Sequence, residues 1–124
     1  MKGIVVTTDN VIEVKEFSRP LYESCRSTLG GYIERVSPPG LKRPFCMLVN
    51  DEGLLRDLPI NYIGSILYGT AKHGCPICGN LIIMKTGWTP DGYDIVGLQE
   101  SETAELLSQL NPIAKVLKST VATV

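Results

Sequence analysis

Two stretches constrain this chain more than any others: Phe45-Cys46-Met47-Leu48-Val49 and Leu81-Ile82-Ile83-Met84. Both are continuously apolar and strand-sized. The first predicts a central strand covered on both faces, because a strand with one wet face alternates apolar and polar residues. The second predicts a strongly apolar partner. Neither approaches the ~20 apolar residues of a membrane span, so no membrane partner is expected. A chain of 124 residues can bury roughly two-thirds of its unfolded surface around one core. The expectation is therefore a single domain.

The rest of the pattern places short elements around those two strands. Residues 3–7 and 11–17 flank the turn formers Thr8-Asp9-Asn10 and read as a β-hairpin. Pro20 suits a first helical turn, and Leu21, Cys25, Thr28 and Leu29 share one helical face before Gly30-Gly31. Residues 32–37 resume a strand, and the proline-rich segment 38–44 is a loop. Asn61 is placed to cap a short helix carrying Ile63, Ile66 and Leu67, with Gly69 just beyond its end. Residues 71–79 form a glycine-punctuated connection and residues 87–93 turn chemistry, ahead of a short strand at 94–98. Ser101 is expected to cap the last helical segment, and Asn111-Pro112 to divide it into two helices. The predicted fold is α+β, with a mixed or mainly antiparallel sheet of about five strands packed against one N-terminal-half helix and C-terminal helices. Residues 1–98 form its core and residues 99–124 a helical extension of the same domain.

Charge narrows the partners. Twelve Lys+Arg against thirteen Asp+Glu leaves a net charge of -1, which supplies no field for duplex nucleic acid. Met1-Lys2 followed by Gly3-Ile4-Val5-Val6 is too short for the apolar part of a signal peptide, so a cytoplasmic location is expected. In that setting Cys25, Cys46, Cys75 and Cys78 are expected as thiols.

Gly30-Gly31-Tyr32-Ile33-Glu34, Val49-Asn50-Asp51-Glu52-Gly53, Leu58-Pro59-Ile60-Asn61 and Gly79-Asn80-Leu81-Ile82-Ile83 occur in that order. In this they resemble a domain-of-unknown-function family of small bacterial proteins carried by phages, plasmids and other mobile elements. The similarity covers roughly residues 1–98. Leu-Pro is usually preceded by Gly in that family, whereas Asp57 stands here, and the Cys75/Cys78 pair lies outside its pattern. The resemblance implies an accessory protein that counters host defence by gripping a host protein or by sequestering a nucleotide-derived signal.

Candidate chemistry is sparse. His73-x-Cys75-x-x-Cys78-Gly79 has the shape of half a zinc knuckle, but a structural site needs a second ligand pair. His73 is the single histidine, which limits acid-base schemes, and no nucleophile elbow, Walker loop or dinucleotide fingerprint occurs. No catalytic residue, metal or cofactor is therefore assigned. Phosphates are held by basic side chains and bases by aromatic faces. On those grounds Arg43, Lys72 and His73 are candidates for anion capture, Tyr32, Tyr62 and Trp88 for stacking, and Asn50 and Asn61 for reading a base edge or sugar. The expected function is non-catalytic binding and sequestration of a small nucleotide-like ligand, in a homo-oligomer with sites near subunit boundaries. The alternatives are a protein–protein inhibitor of a host enzyme and, more weakly, a Cys/His zinc protein or hydrolase.

Overall fold

Lys2–Val6 (β1) and Ile12–Glu16 (β2) form the expected N-terminal hairpin, in antiparallel register from Lys2 opposite Glu16 to Val6 opposite Ile12. The structure is a computed structural model that describes residues 1–122, with the backbone alone at His73 and at residues 120–122. Leu21–Leu29 (α1) follows the hairpin. The Ser24 hydroxyl donates to the Ser18 carbonyl at 2.7 Å, fixing the entry to the helix, and Gly30 ends it at φ 78. That left-handed step is one glycine takes without steric cost.

Ile33–Val36 (β3) then pairs antiparallel with Phe45–Asn50 (β4), whose six residues are all buried. Tyr62–Tyr68 (α2) and Thr70–His73 (α3) lead to Leu81–Thr89 (β5), Gly92–Val96 (β6) and Glu100–Ala122 (α4). All of these strand pairs are antiparallel, in the order β2-β1-β5-β4-β3, with β6 also on β5. Lys85 pairs with both Phe45 and Val96, while Ile82 and Ile83 pair with both β1 and β4. Hence β1 and β6 occupy the same edge of β5, one after the other. The nine-residue β5 is the spine of the sheet.

Alternation along the two apolar strands divides the core. Phe45, Met47 and Val49 of β4 and Leu81 and Ile83 of β5 face α2 and α4, packing with Ile63, Leu67, Leu106 and Leu110. Cys46, Leu48, Ile82 and Met84 face the other way, against Cys25 and Leu29 of α1 and against Phe17. Both apolar runs, 45–49 and 81–84, are thus covered on both sides, and each large aliphatic side chain so buried contributes about 1.5–3 kcal/mol.

Three local expectations fail. The segment expected as turn chemistry is mostly strand: β5 runs on through Gly87, Trp88 and Thr89, and only Pro90-Asp91 separates it from β6. The sheet accordingly has six strands. Pro112 does not divide the C-terminal segment, because α4 is continuous through it. Its ring removes one donor, and Pro112 sits on the exposed side of the helix, where water can satisfy the carbonyl left over. On the opposite side Thr103, Leu106, Leu110 and Ala114 remain in one buried stripe that spans the proline. Nor is Ser101 the cap. Gln99 precedes the helix, its N–H donating to Glu102 Oε1 at 2.8 Å while its carbonyl accepts from Thr103 N at 2.9 Å. That is one half of a capping box, with Glu102 at the third helical position.

Candidate functional site

Directly paired residues of a sheet share a face, so the register shows which polar side chains meet. Arg35 lies opposite Leu48, on the α1 side, and Thr86 lies two residues beyond Met84 on that same side. Trp88 and Tyr93 pair with each other one step further along. Helix α1 covers only part of this face. The uncovered remainder is a cleft of about 320 Å³ lined by Arg35, Ser37, Arg43, Pro44, Phe45, Thr86 and Tyr93. Such a volume sits at the small end of ligand pockets.

The cleft is cationic and hydroxyl-rich. Arg35 and Arg43 are both exposed, and among the described residues neither forms an ion pair. No carboxylate is among the lining residues. The Thr86 hydroxyl and the Tyr93 phenol lie 2.8 Å apart, and Trp88, 81% exposed, meets the Tyr93 ring edge to face at 5.2 Å. Arg35 also lies close enough to Cys46 to act on its thiol: burial pushes that thiol up to about 11, against the opposing pull of the guanidinium. The arrangement can therefore bind an anion through two guanidinium forks and offer a ring to an adjoining base.

The residues expected to form a site separate into several places. Arg43 lines the cleft and Trp88 adjoins it through Tyr93. Lys42, the neighbour of Arg43, turns instead to α4 and pairs with Glu105 at 2.5 Å. Tyr32 is 58% exposed at the head of β3 and stacks on Tyr22. Tyr62 is exposed on α2 and Lys72 on α3, and neither lines the cleft. The side chain of His73 lies outside the described residues. Asn50 and Asn61 belong to the scaffold. The Asn50 amide donates to the Leu29 carbonyl at 3.0 Å and its oxygen accepts from Glu52 N at 2.8 Å. Asn61, fully buried, accepts from Gly64 N at 2.9 Å and donates to the carbonyls of Val6 and Gly79, each at 3.0 Å.

Four lining residues were not singled out in the sequence: Arg35, Ser37, Thr86 and Tyr93. For Arg35 a signal exists, since Glu34-Arg35 inside a strand must send opposite charges to opposite faces. Glu34 goes to the second cleft, about 140 Å³, with Asp51, Cys75 and Cys78. That cleft holds the Cys-x-x-Cys turn on the α2 and α4 side, whereas Cys25 and Cys46 lie across the sheet. The four sulfurs therefore do not converge, and no metal-sized cluster of His, Cys, Asp and Glu occurs among the described residues. Burial, with lesser contributions from the charges of Asp57 and Cys75, raises the Cys78 thiol, and burial raises that of Cys25.

With the cleft defined, the comparisons add a family and no chemistry. The profile of a domain of unknown function (DUF3846) matches residues 1–111. The chain belongs to the DUF3846 family. The match takes in every strand and runs into the first half of α4, so the whole cleft lies within the DUF3846 domain. Comparison with curated proteins and with solved structures yields no match. No helix among the described residues is long and apolar enough to cross a membrane.

Proposed function

We propose that this DUF3846 protein binds a small nucleotide-derived anion and holds it without turning it over. One observation carries the reading: two guanidinium groups that form no ion pair among the described residues share a cleft with paired hydroxyls, next to an exposed tryptophan. Arg35 and Arg43 take the phosphate, Ser37 and Thr86 supply hydroxyls, and Trp88 with Tyr93 receives the base. Sequestration fits the lining better than catalysis, because the cleft presents no carboxylate and the nearby Cys46 is held as a thiol. A role against host defence, carried on a mobile element, is the setting that the motif resemblance supplies.

Calorimetry against cyclic and ADP-ribose-derived nucleotides tests this reading. One ligand should bind stoichiometrically and be recovered unchanged after heat denaturation, and Arg35→Ala or Arg43→Ala should abolish the heat. A chemically altered product would replace sequestration with catalysis, and a silent panel would remove the reading.

Self-association is proposed as well. Tyr62 and Ile66 lie one helical turn apart on α2 and are both exposed, and a second copy is the occupant we assign to that stripe. Sedimentation equilibrium should show a dimer or larger that Ile66→Asp reduces to monomer. A wild-type monomer refutes the assignment.

A further inference from the structure

The exposed aromatic residues on the α1 side form two pairs with arginines between them. Tyr22 on α1 stacks on Tyr32, centroids 5.8 Å apart and planes 26° from parallel. The Arg26 guanidinium stands 6.0 Å from the centroid of each ring. At the other end Trp88 meets Tyr93. Ile33, packed against the α1 cluster, and Arg35 follow Tyr32 on one face of β3, so the first pair leads into the cleft and the cleft leads to the second pair.

The register sets the length of this strip. Tyr32 immediately precedes the β3 residue opposite Asn50, at one end of β4. Trp88 lies three positions past Lys85, the residue opposite Phe45 at the other end. The two backbones are about nine residue rises and two strands apart, roughly 30 Å. A single nucleotide cannot reach from one aromatic pair to the other.

We propose that the strip is a track for a single-stranded nucleic-acid segment of about five nucleotides, the low end of known single-strand site sizes. Bases stack on the two aromatic pairs, and phosphates pass over Arg26, Arg35 and Arg43. The proposal rests on the anion-binding reading of the cleft and extends it to a longer ligand. A duplex would hide the base faces that the rings need, and the net charge of -1 supplies no broad field to hold one. The local charge is favourable nonetheless. Glu34 faces the other side of β3, and Asp94 is engaged by Arg19 at 3.7 Å.

Trp88, the one tryptophan in the chain, supplies the readout through its fluorescence. The full chain is titrated with 5′-phosphorylated DNA and RNA strands from one to about eight nucleotides long. Affinity should rise at least about tenfold up to about five nucleotides and then level off. With three phosphates neutralised, the slope of log affinity against log salt should be near about -2. Tyr32→Ala and Tyr22→Ala should each weaken the five-nucleotide strand about tenfold and leave the mononucleotide unaffected, while Arg35→Ala weakens every length. The DNA and RNA arms show which sugar is preferred. Mononucleotide binding with no gain from length overturns the track and leaves the cleft reading intact. No response at any length, by fluorescence and by calorimetry, overturns both. Equal or tighter binding of a duplex of the same length overturns single-strand stacking.

Discussion

Replacing Asn61 by alanine tests whether this buried amide is scaffold. Its side chain joins the end of β1, the turn before β5 and the first turn of α2 through three hydrogen bonds of 2.9–3.0 Å. Alanine deletes the helix cap, worth about 1 kcal/mol. It also takes the side-chain donor from the Val6 and Gly79 carbonyls, at about 1–1.5 kcal/mol each. The sum is about 3–4 kcal/mol. For 124 residues the entropy of unfolding is about 0.26 kcal/mol/K, so Tm should fall by roughly 12–15 °C. Far-UV circular dichroism is the assay, since Trp88 is too exposed to report on the core. Asn61→Asp sharpens the test. Its oxygen can still cap Gly64, but at neutral pH it presents a carboxylate to two carbonyls, so its deficit should match that of alanine and shrink on acidification. Below its Tm, Asn61→Ala should bind ligand in the cleft as the wild type does. A fall of less than about 4 °C, or a loss of binding with the fold intact, would refute the scaffold role.

Three further outcomes follow from named contacts. Burial alone would raise the Glu102 carboxyl, but the hydrogen bond from Lys85 at 2.8 Å, the Gln99 N–H and the charges of Lys85 and Lys42 together hold it below the ordinary range. Because its folded value lies below its unfolded one, this stabilisation is present above about pH 4.3 and is lost as pH falls through the folded value. Glu102→Gln should cost on the order of 1–2 kcal/mol at pH 7 and flatten the acid limb of a Tm-against-pH curve; an unchanged limb sinks the idea. Asp57 adopts φ 55, so Asp57→Gly should gain about 0.5–1 kcal/mol and raise Tm by about 2–4 °C, whereas Asp57→Val should lower it. A disulfide reagent at pH 8 should reach exposed Cys75 first and reach buried Cys25 and Cys46 only on unfolding. Mass mapping of the labelled thiols decides that order.

Where local chemistry decided the outcome, the sequence was sufficient. The apolar runs at 45–49 and 81–84 became the buried strands, Asn61 and Gly69 bracket α2, and Gly30 turns the chain after α1. The failures are cases where tertiary packing outweighs local preference. Gly87-Trp88-Thr89 has the composition of a turn, yet pairing with β6 carries it as strand. Pro112 ought to stop a helix, but the buried stripe on either side of it holds the rod together. Asp57 holds a left-handed backbone at φ 55, which nothing in the sequence around it announces. The cleft was least visible, because it draws on β3, β4, β5, β6 and the 38–44 loop. Arg43 is legible from its charge and Arg35 from the Glu34-Arg35 alternation, while Ser37, Thr86 and Tyr93 acquire meaning only from the assembled sheet.

The division of β4 between two clusters also bears on how this protein can change. Met47 and Leu48 are adjacent in the chain, yet each settles into a separate chamber with the sheet as the partition. Volume changes on opposite sides share no packing partners, so their effects should combine nearly independently, whereas two changes on one side must accommodate each other. The cleft opens on the α1 side, and of the residues in the α2 and α4 chamber Phe45 alone lines it. The chamber formed with α2 and α4 can therefore drift in sequence while the ligand surface stays as it is, and a lineage could exchange most of that interior without altering what it binds.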